Sequence, residues 1–177
     1  IETVDPEEFD EVFGVICSPS HVSFTDKSNL VATLRGQVNA IMVVTEPFAT
    51  AFAIGEIGGS IVVDIGAGTT DIARIHGTFP TDEDQVTIQE AGDWLDIELM
   101  NLVAKKFTGA QINKDMVRKW KEESSYVGGD VRTVEVSLSV DGKSQNVDIG
   151  DLIQEACELL IPKVGNAIKR IVAEADP

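Results

Sequence analysis

The stretch 60–78, SIVVDIGAGTTDIARIHGT, narrows what this chain can fold into more than any other segment. Residues 61–65 are apolar and largely β-branched around Asp64, the pattern of a buried strand. Residues 69–76 are again rich in β-branched side chains, and Gly77 ends the run after eight. Such a run is too short and too β-prone for a helix. The unit therefore reads as strand, glycine turn, strand.

That reading decides which glycine motifs remain open. Gly66 and Gly68, with Ala67 between them, let the backbone reverse tightly and bring N–H groups close to a phosphate. Thr69 and Thr70 add hydroxyl donors, and Asp71 opens the return strand, placed to orient them or a metal's water shell. Asp64, just before the turn, would repel a phosphate unless a cation stood between, so it is expected to hold Mg²⁺ through water. A P-loop is excluded because no lysine follows the turn. A dinucleotide fingerprint would need a third glycine where Asp71 stands, and a helix after it. A lone GxG is also compatible with a plain hairpin, but Asp before and Thr-Thr-Asp after turn the reading toward phosphate binding.

Glu46 is the second carboxylate of interest. It follows the apolar run 40–44 and precedes Pro47, so it is expected to cap a helix ending near Gly55. A helix cap alone contributes about 1 kcal/mol and carries no chemistry. Beside the glycine turn, however, a carboxylate at a strand's carboxyl end can orient or deprotonate an attacking water.

Around these motifs the order is mixed α/β. Strands are expected at 12–17, 40–44 and 85–90, with a polar helix at 25–37. Helices follow at 93–107 and 113–123, then a hairpin across 131–149 turning at Asp141-Gly142. A long amphipathic helix over 151–174 should kink at Pro162 and Gly165. Trp94, Trp120 and Tyr126 read as core anchors, and a hinge is expected at 55–60.

Composition excludes some functions. The formal charge of −16 repels nucleic acid and anionic lipid, so no nucleic-acid partner is expected. No apolar run approaches the ~20 residues of a membrane helix, so no membrane insertion is expected either. Cys17 and Cys157 lack a CxxC partner and read as buried thiols of a reducing compartment. His21 and His76 stand apart and suggest no metal site. The acidic runs 7–11 and 81–84 read as solvated faces.

The strings IMVVTEPFATAFAIG, IVVDIGAGTTDIARIHG and AGDWLD together resemble the bacterial actins, the MreB/MamK group of the actin, Hsp70 and sugar-kinase superfamily. The likeness runs from residue 13 to the end of the chain. DIGAGTTD is specific to the superfamily; the EP helix, the TFPTDEDQ loop and the succession after YVGG point to the magnetosome-filament branch.

The resemblance implies an actin-like ATPase (ribonuclease H-like) α/β fold, present in part. Residues 1–58 would close the first lobe, 59–90 with 150–177 form the second-lobe core, and 91–149 an inserted α+β subdomain. It implies ATP and Mg²⁺ as ligands, with Glu46 and Asp64 catalytic, and Gly66, Ala67, Gly68, Thr69, Thr70, Asp71, Gly92 and Lys121 at the nucleotide. Lys121 is carried over alone because Arg118 stands where relatives of this kind have a glutamate; by itself it reads as a solvated helix lysine. A first phosphate loop and an adenosine motif would lie before and after this stretch, so the chain alone should bind ATP weakly or not at all. The implied function is a cytoplasmic ATPase that polymerises head to tail with itself and organises magnetosomes alongside their associated proteins. The alternatives are a small-molecule kinase or chaperone ATPase domain, an MreB-type cell-shape protein, or a structural module without hydrolysis.

Overall fold

The computed structural model describes residues 11–174, so most of the acidic run 7–11 and the last three residues lie outside it. The chain divides into two compact units. One takes in the described residues up to Asp64, Asp71–Thr87 and the chain from Arg170; the other comprises Ile65–Thr70 and Ile88–Lys169.

In the first unit, β1 (Phe13–Ser18) runs parallel to β2 (Ala40–Thr45), with Phe13 opposite Ala40 and Ser18 opposite Thr45. Parallel neighbours need a crossover, and α1 (Phe24–Leu34) supplies it. Ser23 caps α1 by accepting from the Asp26 amide. The helix ends three residues before the expected 37, because Arg35 is extended and Gly36 turns at φ 88°. Helix α2 spans Glu46–Ile54 and ends on left-handed Gly55. Its N-cap is Thr45, not Glu46: Glu46 is already helical, and proline occupies the second helical position. Strands β3 (Ser60–Ile65), β4 (Thr70–Ile75) and β5 (Gln85–Ile88) form one sheet in that order. Ala51 of α2 buries with Val62, Ala73 and Ile75 of β3 and β4, with Phe48 packed on them.

The second unit is built around α3 (Gly92–Lys106), α4 (Lys114–Ser124) and α5 (Gly150–Glu158). A three-stranded antiparallel sheet of β6 (Ala110–Gln111), β7 (Glu135–Val140) and β8 (Lys143–Asp148) accompanies them. Strand β6, too short to show a period, was not expected from the sequence. The β7–β8 turn places Asp141 at φ 50° and Gly142 at φ 77°, the pair of positive angles a two-residue hairpin demands. Leu99, Val103, Val117, Leu138, Ile149 and Ile153 are the heart of the core. Trp120 is buried in it, as is Tyr126, whose hydroxyl donates to the Gly150 carbonyl and accepts from the Arg132 amide. Trp94 is only half-buried, and of the two cysteines expected to be buried Cys157 is, whereas Cys17 is exposed.

The expected helix over 151–174 is two helices, α5 and α6 (Leu160–Glu174), broken at Leu159. Pro162 has no N–H for the Glu158 carbonyl and its ring crowds that group, so the break falls a turn before the proline. Gly165 lies within continuous helix.

Candidate functional site

The strand–glycine turn–strand unit forms as expected, with no helix leaving the turn. The Gly66 amide donates to the Thr69 carbonyl at 2.9 Å, closing the tip. The carbonyls of Gly66 and Ala67 are then taken by the first amides of α3: Gly92 donates to Gly66 at 3.0 Å and Asp93 to Ala67 at 2.7 Å. A helix N-terminus leaves its first N–H groups without internal partners, and here the loop's carbonyls satisfy two of them. The amides of Ala67 and Gly68 find no acceptor among the described residues, and both residues are exposed. Unpaired adjacent amides at an exposed tip are donors that an anion can take.

Gly92 makes this docking possible. A Cβ there would sit 3.2 Å from the Gly66 oxygen, 3.3 Å from Lys121 Nζ and 3.4 Å from the Ala67 Cα. At Gly66, a Cβ would meet the Thr69 carbonyl at 3.2 Å. Thr70 is fully buried and its hydroxyl donates to the Glu90 carbonyl at 2.8 Å, so it shapes the turn rather than offering a free donor. Thr69 is half-buried at the tip.

Beside the tip lies an open cavity of about 650 Å³, bordered by Gly66 and Ala67, by Gly92 and Asp93 of α3, and by Arg118 and Lys121 of α4. This volume is in the range of small-ligand sites. Lys121 is not the solvated lysine its surroundings in sequence suggest. Its side chain is only 14% exposed, and Nζ lies 2.6 Å from Asp96 Oδ1 and donates to the Gly92 carbonyl at 2.7 Å. Asp96 is buried and paired a second time, to Arg118 Nε at 3.3 Å. Arg118 also donates to Asp93 Oδ1 at 2.8 Å, and Lys114 reaches the same oxygen at 3.3 Å. Reasoning from sequence passes over Asp93 and Asp96 and gives Arg118 no role of its own. A signal existed: carboxylates three apart on one helix match cations three apart on the next.

The other carboxylates belong to the first unit. Asp71 is buried, and its Oδ1 accepts from the Ser20 amide at 2.8 Å and the Thr87 hydroxyl at 2.6 Å. It thereby fixes where β4 begins. Asp64 and Glu46 are half-buried. Burial raises the Glu46 carboxyl above its ordinary value, and the charges of Asp71 and then Asp64 raise it further. The residues flanking the loop on either side are thus both felt electrostatically at Glu46. Among the described residues no group of three His, Cys, Asp or Glu converges to ligate a metal directly. Glu46 and Asp64, near enough for one charge to be felt at the other, are oxygen donors of the kind a hard, hydrated cation takes.

Asp84 is another buried carboxylate, unconnected with the loop. It accepts from the Thr81 amide and hydroxyl and from Arg74, with His76 Nε2 at 3.3 Å. Burial alone would raise its pKa, but these partners together hold it well below the usual carboxylate range.

An α/β chain whose strand–glycine turn–strand unit seats on a helix N-terminus has the architecture of an actin-like protein. A family model described as MreB/Mbl protein matches residues 3–177. The chain belongs to the MreB/Mbl family. It is 32% identical over 177 residues to the actin-like protein MamK of Magnetospirillum gryphiswaldense, all of this chain and 49% of that one. The cell shape-determining protein MreB of Escherichia coli is 30% identical over 129 residues, covering 69% of this chain and 36% of its own. Among solved structures, a MamK double helical filament superposes with a TM-score of 0.86 at 32% identity, covering 94% of this chain and 51% of that one. A non-polymerising MamK mutant bound to AMPPNP gives 0.81 at the same identity and coverage. The chain thus spans about half the length of MamK, and its mixed α/β architecture is part of the actin-like fold. Among the described residues no helix is long and apolar enough to cross a membrane.

Proposed function

We propose that this chain is part of an ATP-dependent, filament-forming actin-like protein, and that the tip 66–69 holds the phosphates of the nucleotide. The observation that carries the reading is the pair of open amides at Ala67 and Gly68, left so because the loop's carbonyls face the N-terminus of α3. Gly92 supports it by allowing that close approach. Lys121 holds the Gly92 carbonyl and so keeps the loop's seat in place. Thr69 belongs to the tip, while Thr70 and Asp71 give it shape through Glu90, Ser20 and Thr87.

Mg²⁺, when bound, neutralises phosphate charge and polarises the terminal phosphoryl group. Asp64 is assigned to its water shell. Glu46 is assigned to the attacking water. Its raised pKa makes it a stronger base than an ordinary glutamate. The AMPPNP-bound and filament forms of MamK support nucleotide binding and self-assembly for this chain's protein. On the same likeness we assign the filament to the cytoplasm and to the organisation of magnetosomes, with magnetosome-associated proteins as partners. The three segments 1–58, 59–90 with 150–177, and 91–149 are proposed as its lobe divisions.

The test uses the full-length protein. Wild type should bind Mg-ATP by calorimetry, pellet with ATP and release phosphate. Glu46→Ala should pellet normally while phosphate release falls by two orders of magnitude or more, on the order of a general base's contribution. Dispersed protein that hydrolyses ATP at the wild-type rate would sink the assignment.

A further inference from the structure

Three buried hydroxyls stand at the carboxyl ends of β1 and β2 with nothing to bond. Ser18 is 1% exposed and Ser20 3%, and neither hydroxyl has a hydrogen-bond partner among the described residues. The buried hydroxyl of Thr45 has none either. Ser18 and Thr45 are register partners on parallel strands, so their side chains share one face at the end of the pair. Ser20 follows two residues after Ser18, and its amide donates to Asp71 Oδ1 at 2.8 Å. Thr45 is also the N-cap of α2, where a threonine ordinarily accepts from a first-turn amide, yet its side chain makes no capping bond.

A hydroxyl taken out of water and left unpaired opposes folding by its full desolvation. Three of them at the end of one strand pair call for a small ligand that both donates and accepts, since each hydroxyl can do both. An anion is disfavoured by the charges of Asp71, bonded to Ser20, and of Glu46, the residue after Thr45. A multivalent cation would draw on convergent carboxylates, and no three ligating side chains converge among the described residues. Water meets the requirement, as it does at buried polar sites generally.

We propose that Ser18, Ser20 and Thr45 form an internal water site at the carboxyl ends of β1 and β2. Resting on the hydrolytic reading above, the three also act as positioning residues. Water held there fixes the backbone of Ser20 at Asp71 and that of Thr45 at the start of α2, and so sets where Glu46 stands.

Oxygen-17 magnetic relaxation dispersion on the full-length protein, which detects waters held far longer than those of the surface, tests the site. Ser18→Ala and Ser20→Ala should each hold fewer such waters than wild type and melt at a lower temperature. Dry hydroxyls would give the opposite sign, because alanine then removes an unpaired polar group. Thr45→Val, matched in shape, keeps the measurement open if a serine variant does not fold. It should also lower kcat for phosphate release roughly fivefold, the scale of one hydrogen bond, with the KM for ATP unchanged. Thr45→Ser, which keeps the hydroxyl, should restore that kcat. An unchanged water count, or variants that melt at or above the wild-type temperature, would overturn the site. A wild-type kcat in Thr45→Val would overturn the positioning role. Wild type that releases no phosphate would instead overturn the hydrolytic reading and the positioning role with it, while the water count would still decide the site.

Discussion

Asp84 shows what a single carboxylate contributes here. Its side chain is 3% exposed, yet Arg74, both donors of Thr81 and His76 surround it. Desolvation opposes its charge, and the donors outweigh desolvation, so the folded pKa lies below the ordinary 3.8. A depressed folded value means the stabilisation is fully present above the unfolded pKa and is lost as pH falls through the folded one. Asp84→Ala should therefore cost about 3 kcal/mol at pH 7, the scale for removing one partner of a buried charged network. In urea titrations the gap between variant and wild type should narrow steadily below pH 3.8. A gap that stays constant down to pH 2 would show that packing, not charge, is what the residue supplies.

At the scale of elements, the docking of the β3–β4 tip on α3 is the feature to perturb. Gly92→Ala would place a methyl against the Gly66 carbonyl, Lys121 Nζ and the Ala67 backbone, two of them fixed main chain. The variant should lose about 1–3 kcal/mol in chemical denaturation, as overpacked sites do. Tripolyphosphate affinity should fall with it, because the loop's carbonyls would no longer face α3 squarely. Full affinity in a folded Gly92→Ala protein would argue that the seat is irrelevant to the anion. This element was legible in sequence because β-branched runs on both sides of two glycines leave few other conformations. The break before Pro162 was legible in kind but not in place, since proline acts on the carbonyl four residues earlier. The cap of α2 was misplaced by one residue because proline fits either of the first helical positions. Strand β6 carries no signal of its own; β7 supplies its register. For the Asp93, Asp96, Arg118 and Lys121 network the matching spacings are legible, but they lie on separate helices, and only packing shows that the charges meet.

Across the whole chain two tendencies oppose each other. The formal charge of −16 makes copies repel. Large apolar side chains nevertheless stand exposed, among them Phe13 at 69%, Phe24 at 86% and Phe52 at 67%. Exposed apolar surface of this kind favours association once repulsion is screened. Screening length falls from ~30 Å at 0.01 M salt to ~8 Å at 0.15 M, so the balance should move within that window. Static light scattering of this chain should give a positive second virial coefficient at 0.01 M salt that declines toward zero or below by 0.15 M. A negative coefficient already at low salt would mean the apolar residues prevail over the charge at long range. A positive value that ignores salt would mean the repulsion is not electrostatic. Either result would remove net charge as the control on self-association. In the expected case, a divalent cation should act more strongly than sodium at equal ionic strength, because carboxylates outnumber lysine and arginine side chains 30 to 14.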